Sequence, residues 1–289
     1  MLRFVCVAAV LSLGLSACAT PPASEGNLSA FAPVDPMVTQ SIAARAPVTS
    51  RSQPMPDMLF SSGLAGRTLT IAEPSELVLR PDEVILTFDD GPRPGRTELI
   101  VATLDRFGVK ATFLVLGSAA ERHPDLVRLA AERGHSIGTH TYDHVDLSTV
   151  SFSAAMAEIY AGQQAVAAAL APVHLTPSRF FRFPYLSETG LIRTSAIDAN
   201  FIVLDVDVDS KDYFPDSPEI VLDRTLERLD ARGSGIVLFH DIHARTAALL
   251  PEFLTALQAR GYSVVTLRSS GGSVFDQPLV TAANGTDMP

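Results

Sequence analysis

The chain has 289 residues, 47% hydrophobic and 19% charged, enough for one large domain or two modest ones, which excludes wholesale disorder and fibrous architectures. Its 22 Lys and Arg against 32 Asp and Glu leave a net charge of -10, which argues against nucleic-acid binding, where clustered positive charge supplies most of the affinity. The two cysteines, Cys6 and Cys18, both lie in the first twenty residues, so the body of the protein has neither a disulfide nor a thiolate metal site, and any metal falls to His, Asp or Glu.

Residues 1–17 read as an export signal: Arg3 gives the positive start, Phe4 to Leu15 an apolar run too short to span a bilayer, and Ser16-Ala17 the small residues before a cut. Leu15-Ser16-Ala17-Cys18 resembles the bacterial lipobox, which makes Cys18 a lipidated first residue and membrane anchor; ordinary cleavage after Ala19 is the alternative. With Ala19 after the cysteine, the resemblance implies an envelope lipoprotein, at the outer membrane in a Gram-negative cell. Residues 18–81 carry nine of the twenty prolines and no sustained period, and read as a linker. The alternation in Arg67-Thr68-Leu69-Thr70-Ile71 leaves open an extra strand or flap within residues 59–79. From residue 269 to the end, with Gly271-Gly272, the tail reads as disordered.

Residues 82–268 alternate β-branched runs with helical patterns. Strands are predicted at 84–88, 111–116, 136–139, 180–182, 201–208, 235–239 and 263–266, with helices such as 125–133, stopped by Gly134, and 154–170, capped by Ser153. Strand, helix, strand implies parallel strands with crossover helices, whose C-terminal ends carry the chemistry. Five polar clusters obey that rule: Asp89-Asp90, His140 and His144, Arg182 to Tyr185, Asp209 with Asp212, and His240-Asp241.

Two adjacent carboxylates at a strand end point in different directions, so one can ligate a metal while its neighbour faces a substrate water; alone, Asp-Asp-Gly-Pro is an ordinary turn. His140 and His144, four residues apart, reach one ion from a helical turn. Two His and one Asp leave coordination open for water, the pattern of catalytic rather than structural zinc. Asp205, Asp207 and Asp209 share one face of an extended strand, and are read as solvating or capping the rim rather than holding a second cation.

The strings Thr87-Phe88-Asp89-Asp90-Gly91-Pro92, His140-Thr141-Tyr142-Asp143-His144, Arg182-Phe183-Pro184-Tyr185, Asp209-Ser210-Lys211-Asp212-Tyr213 and Leu238-Phe239-His240 resemble the five ordered motifs of the polysaccharide deacetylases, the NodB-homology or carbohydrate esterase family 4 enzymes. The resemblance implies a distorted (β/α)7 barrel and metal-dependent removal of N-acetyl groups from an envelope polysaccharide or chitin-like oligomer. It implies that Asp90, His140 and His144 hold a divalent ion, foremost Zn²⁺ with Co²⁺, Ni²⁺ and Mn²⁺ as alternatives. Asp89 would be the base, oriented by Arg182; the Tyr185 N–H an oxyanion donor; His240 the acid, contacted by Asp212; and Leu238 a wall for the acetyl methyl. Three positions depart from the usual pattern: Tyr213 for Trp, Phe183 for Pro and Leu186 for Gly, all on groove walls. An O-acetyl esterase and a non-catalytic carbohydrate-binding protein are the alternatives; the presence of Asp89 favours an enzyme. The lack of Trp predicts a short groove, and no protein partner is indicated.

Overall fold

A computed structural model describes residues 63–271 and Val274. Its strands are β1 (Ala65–Ile71), β2 (Glu83–Asp89), β3 (Thr112–Val115), β4 (Ser136–Thr139), β5 (Phe180–Phe181), β6 (Ile202–Val203), β7 (Val208–Asp209), β8 (Gly235–His240) and β9 (Ser263–Ser269). The α-helices are α1 (Thr97–Arg106), α2 (Gly117–Arg122), α3 (Pro124–Glu132), α4 (Phe152–Leu170), α5 (Gly190–Asp198), α6 (Pro218–Arg232) and α7 (Ala244–Ala259).

Among the described residues every ladder is parallel. The order β6-β5-β4-β3-β2-β8-β7 curls seven strands into a barrel in which, among the described residues, no ladder joins β6 to β7. This is the distorted (β/α)7 architecture implied by the motifs. β2 shows why it lies at the centre: all seven of its residues are buried, as expected of a parallel strand covered on both faces. Val84, Leu86 and Phe88 face outward into the helix layer, where Phe88 stacks on Phe113 at 5.1 Å and Phe239 at 5.8 Å. Ile85 faces inward with Leu114, Phe180, Ile202, Leu204 and Ile236. Each such fully buried side chain contributes about 1.5–3 kcal/mol.

β1 and β9 are not barrel staves. β9 meets β2 only at Glu83 and Val84, then passes the starts of β4 and β5, where Ser136 Oγ donates to Leu267 O and Arg179 N donates to Ser269 Oγ. The β1–β9 ribbon thus closes the floor, adding Ile71, Val265 and Leu267 to the interior. Part of the linker expected over residues 18–81 is therefore folded: Leu64 is buried and Ala65–Ile71 is a strand, so the folded body includes residues before Asp82. Arg67 anchors this strand through a two-pronged pair to Glu83 (2.8 and 2.9 Å). The tail expected to be disordered from residue 269 is ordered at its start, where Ser269 ends β9, Ser270 N donates to Ile71 O and Val274 is buried; the signal, Cys18 and the remaining residues lie outside the described residues.

Two further corrections are local. Ser151, not Ser153, caps α4: its Oγ accepts from Ala154 N at 3.2 Å, while Ser153 already lies in the first turn. The strand expected over 201–208 breaks into β6 and β7, because Arg182 draws off the carbonyls of Leu204 (3.0 Å) and Asp205 (3.3 Å). The three aspartates there do not form a cluster. Asp205 pairs with Arg193, Asp207 pairs with Arg232 and accepts from Ile236 N, and Asp209 accepts from Lys211 N and Tyr213 Oη. They cap and solvate the rim.

Candidate active site

Asp89 ends β2 and the chain turns immediately, with Asp90 in the left-handed region at φ 73°. That reversal sends the two carboxylates apart. Asp89 is 2% exposed, and its Oδ1 accepts from Arg182 Nη1 at 2.8 Å. Arg182, 1% exposed, is itself held from every side: Nη1 also donates to Thr87 Oγ1 at 3.0 Å, and its other nitrogens take the two β6–β7 carbonyls. A buried ion pair this completely hydrogen-bonded fixes one carboxylate oxygen and leaves Oδ2 free to take a proton.

His140 follows β4, and its Nδ1 donates to Arg182 O at 2.7 Å. That bond fixes the tautomer and leaves the Nε2 lone pair free. Nε2 lies 3.6 Å from Asp90 Oδ1, and His144 Nε2 lies 3.4 Å from the same oxygen. Burial above all holds the His140 pKa below its ordinary value, the opposing pull of Asp89 and Asp90 notwithstanding, so the ring is neutral as a ligand must be. The His140–His144 spacing is not helical as expected. A loop with Thr141 at φ 67° and His144 at φ 61° returns the second ring beside the first, the centroids 5.0 Å apart. Gly162 on α4 permits this, since a Cβ there would stand 2.4 Å from Thr141 O.

The ligand atoms of Asp90, His140 and His144 all lie within 4.8 Å of one another, and Asp90 Oδ1 is buried without a hydrogen-bond partner. A buried orphan carboxylate oxygen facing two imidazole lone pairs fits a divalent cation of the borderline class that takes nitrogen and oxygen ligands.

Across the β2–β8 ladder, Asp89 is in register with His240. His240 Nδ1 donates to Asp212 Oδ1 at 2.6 Å, and Asp212 Oδ2 accepts from His240 N (2.8 Å) and Thr246 Oγ1 (2.5 Å). Burial favours neutral His240, but the bond and charge of Asp212, helped by Asp89 and Asp90, raise its pKa to about 9. Burial likewise pushes Asp212 up, and the His240 and Thr246 bonds overcome it and hold the carboxyl below its usual value. Leu238 alternates with the outward Val237 and Phe239, so it faces the interior beneath the rim. Tyr213, exposed, stands edge-on to His240 at 5.6 Å. Tyr185, 67% exposed, stands edge-on to His144 at 4.5 Å on the opposite wall. Tyr185 and Leu186 both have positive φ (58° and 54°), which explains why glycine is usual where Leu186 stands.

Thr246 and Thr97 carry no signal in the sequence, being brought in from distant helices, whereas Asp241, which Thr97 meets, belongs to the rim cluster His240-Asp241. Asp241 is 1% exposed, accepts from Thr97 Oγ1 at 2.5 Å, and lies against Gly91, where an added Cβ would be 2.0 Å from its Oδ1. Burial, and then the neighbouring Asp90 and Asp89 charges, push its pKa up to about 7, against the Thr97 bond.

The family model for polysaccharide deacetylases matches residues 78–203. Peptidoglycan-N-acetylglucosamine deacetylase PgdA of Listeria monocytogenes is 36% identical over 185 residues, 64% of this chain and 38% of that protein. The chitin deacetylase of Colletotrichum lindemuthianum is 30% identical over 219 residues, covering 72% of this chain and 86% of that one. The chain belongs to the polysaccharide deacetylase family. In fold, this polysaccharide deacetylase is similar to the Bdellovibrio bacteriovorus peptidoglycan deacetylase Bd3279, with a TM-score of 0.64 at 31% identity over 75% of this chain and 60% of that one. The family match ends at residue 203, before Asp212 and His240, yet the β2–β8 ladder brings both to the rim that holds Asp89.

Proposed function

We propose that this polysaccharide deacetylase removes N-acetyl groups from the sugar residues of a cell-envelope polysaccharide or chitin-like oligomer. The observation that carries the reading is the meeting, on one rim, of the Asp90–His140–His144 cluster with two separately held pairs, Asp89–Arg182 and Asp212–His240. The names of the relatives, peptidoglycan and chitin deacetylases, support this substrate class.

In the proposed mechanism Asp90, His140 and His144 hold a divalent ion, Zn²⁺ foremost. Such an ion supplies Lewis acidity, lowering the pKa of a water and drawing charge from the amide carbonyl. Asp89 accepts the proton of the attacking water at Oδ2, while Arg182 keeps Oδ1 occupied. The Tyr185 N–H donates to the carbonyl oxygen as it gains charge, a contribution of about 3 kcal/mol for a fixed donor. Leu238 packs against the acetyl methyl, and Tyr213 and Tyr185 flank the sugar. His240, its Nδ1–H tied to Asp212, carries a proton on Nε2 at neutral pH and delivers it to the leaving nitrogen. An amine leaves poorly unless protonated, so a histidine held charged by a buried carboxylate suits amide rather than ester cleavage.

The protein is exported in this reading, and Cys18 tethers the catalytic body to the membrane by lipid. Among the described residues no helix is long and apolar enough to cross a membrane. Acetate release from a panel of purified peptidoglycan, poly-N-acetylglucosamine, chitin oligomers and acetylated xylan tests the proposal. Release from an N-acetylated polymer with one free amine per acetate is expected; release from xylan alone makes the protein an esterase, and no release from any makes it a binding protein.

A further inference from the structure

Of the three buried aspartates among the described residues, Asp89, Asp212 and Asp241, the proposed mechanism leaves only Asp241 without a task. All its attachments lead to the turn after β2. Its backbone N–H donates to Asp89 O at 3.3 Å. Its Oδ2 accepts from Thr97 Oγ1 at 2.5 Å, and that hydroxyl oxygen in turn accepts from Arg93 N at 2.8 Å. Its carboxyl group fills the space beside Gly91, where an added Cβ would stand 2.0 Å from Oδ1, 2.2 Å from Oδ2 and 2.3 Å from Cγ. Asp241 thus reaches residues 89 and 91 directly and residue 93 through Thr97, with Asp90 between them.

Asp90 depends on that hold. Its Oδ1, which faces both imidazoles, takes no hydrogen bond, so its backbone sets where the carboxylate points. That backbone is left-handed, at φ 73°, a conformation that a residue with a Cβ keeps only where its surroundings over-determine it. Two contacts seat Gly91, the next residue: Leu116 N donates to its carbonyl at 3.1 Å, and the Asp241 carboxyl packs against its α-carbon.

We propose that Asp241 is a positioning residue: by wedging Gly91 and anchoring Thr97 it aims the Asp90 carboxylate at His140 and His144, and so sets the affinity of the metal site without belonging to the ligand set. The inference rests on the reading of Asp90, His140 and His144 as metal ligands. Asp241 directly follows His240, so the strand that carries the acid also braces the turn that carries the base and the carboxylate ligand.

Co²⁺ titrated into the metal-free full chain, followed by its visible absorption band, reads affinity and ligand geometry apart from turnover. Asp241→Ala should alter the band and weaken binding about tenfold or more, as when an outer residue that orients a ligand is lost. Asp241→Asn keeps an oxygen for Thr97 and the bulk beside Gly91, and should retain most of the affinity. Thr97→Val, close in shape but without the hydroxyl, should weaken binding by a smaller factor, and decides the matter where Asp241→Ala does not fold. Gly91→Ala should weaken binding in the wild-type background and less in the Asp241→Ala background, where the atoms it meets are gone. A folded Asp241→Ala with wild-type affinity and band overturns the proposal, as does the same result for Thr97→Val where Asp241→Ala does not fold. Equal loss in Asp241→Asn and Asp241→Ala also overturns it, because the effect would then be one of charge. A wild type that takes up no Co²⁺ overturns the metal reading together with this one, whereas a wild type and variants that bind alike overturn this one alone.

Discussion

Replacing Asp212 with Asn removes one charge from the centre of the site and nearly preserves its shape. In the wild type that carboxylate is the main force raising His240 from its ordinary 6.5 to about 9 against burial. The difference is worth about 3 kcal/mol, at 1.36 kcal/mol per unit. A dication held by Asp90, His140 and His144 would offset the smaller Asp89 and Asp90 contributions and leave that of Asp212. Without it, burial is the largest influence remaining, so His240 in Asp212→Asn should lose its proton at or below its ordinary value. The assay is kcat/KM for acetate release from an N-acetylglucosamine oligomer, measured from about pH 5 to about pH 10 under one metal, because limbs report coupled groups. The alkaline limb should move toward acid by about two and a half units or more, and the acidic limb much less. Stability follows the same sign. A raised histidine pKa stabilises fully below 6.5 and loses that contribution as pH rises through about 9. Asp212→Asn should therefore destabilise more at pH 6 than at pH 10. An alkaline limb that stays in place would refute the assignment of His240 as acid and leave Asp212 a structural cap for Thr246.

Three other perturbations probe separate parts of the account. His144→Ala removes one of the three proposed ligands, and metal content and acetate release should fall together, while the fold persists because His144 is a loop residue; full activity after exhaustive chelation would contradict it. Gly91→Ala sets a methyl against Asp241, and calorimetry should find a loss of about 1–3 kcal/mol together with impaired activity, an unchanged Tm being the contrary result. Cys18→Ala should abolish partition into detergent, whereas an unmodified N-terminus at Thr20 by mass spectrometry would mean ordinary secretion.

Much of this was legible in the residues because strand ends and chemistry coincide. β2 reads as a strand from Val84 to Phe88, and the two aspartates after it stand where the chain must turn. What stayed hidden depends on contacts across long sequence distances. The alternation in Arg67–Ile71 left a strand open within a Pro-rich stretch read as linker, and only the pairing with β9 decides it. The split of β6 from β7 is a consequence of Arg182, about twenty residues earlier, drawing off two carbonyls, which no local pattern records. The loop path between His140 and His144 needs three elements at once: a left-handed Thr141, a left-handed His144 and a glycine on α4. Thr246 reaches Asp212 from α7, an ordinary threonine in an Ala- and Leu-rich helix.

The central claim is that adjacent carboxylates do different work, Asp90 holding a metal and Asp89 moving a proton in amide hydrolysis. It is tested most directly by Asp89→Asn, with metal content and the release of acetate and free amine from an N-acetylglucosamine oligomer measured on the same preparation. The account predicts close to one divalent ion per chain in both wild type and variant, equal acetate and amine from the wild type, and a rate lower by about 10²–10⁴ in the variant. Loss of the metal in Asp89→Asn, or a variant that still deacetylates at nearly the wild-type rate, would contradict it.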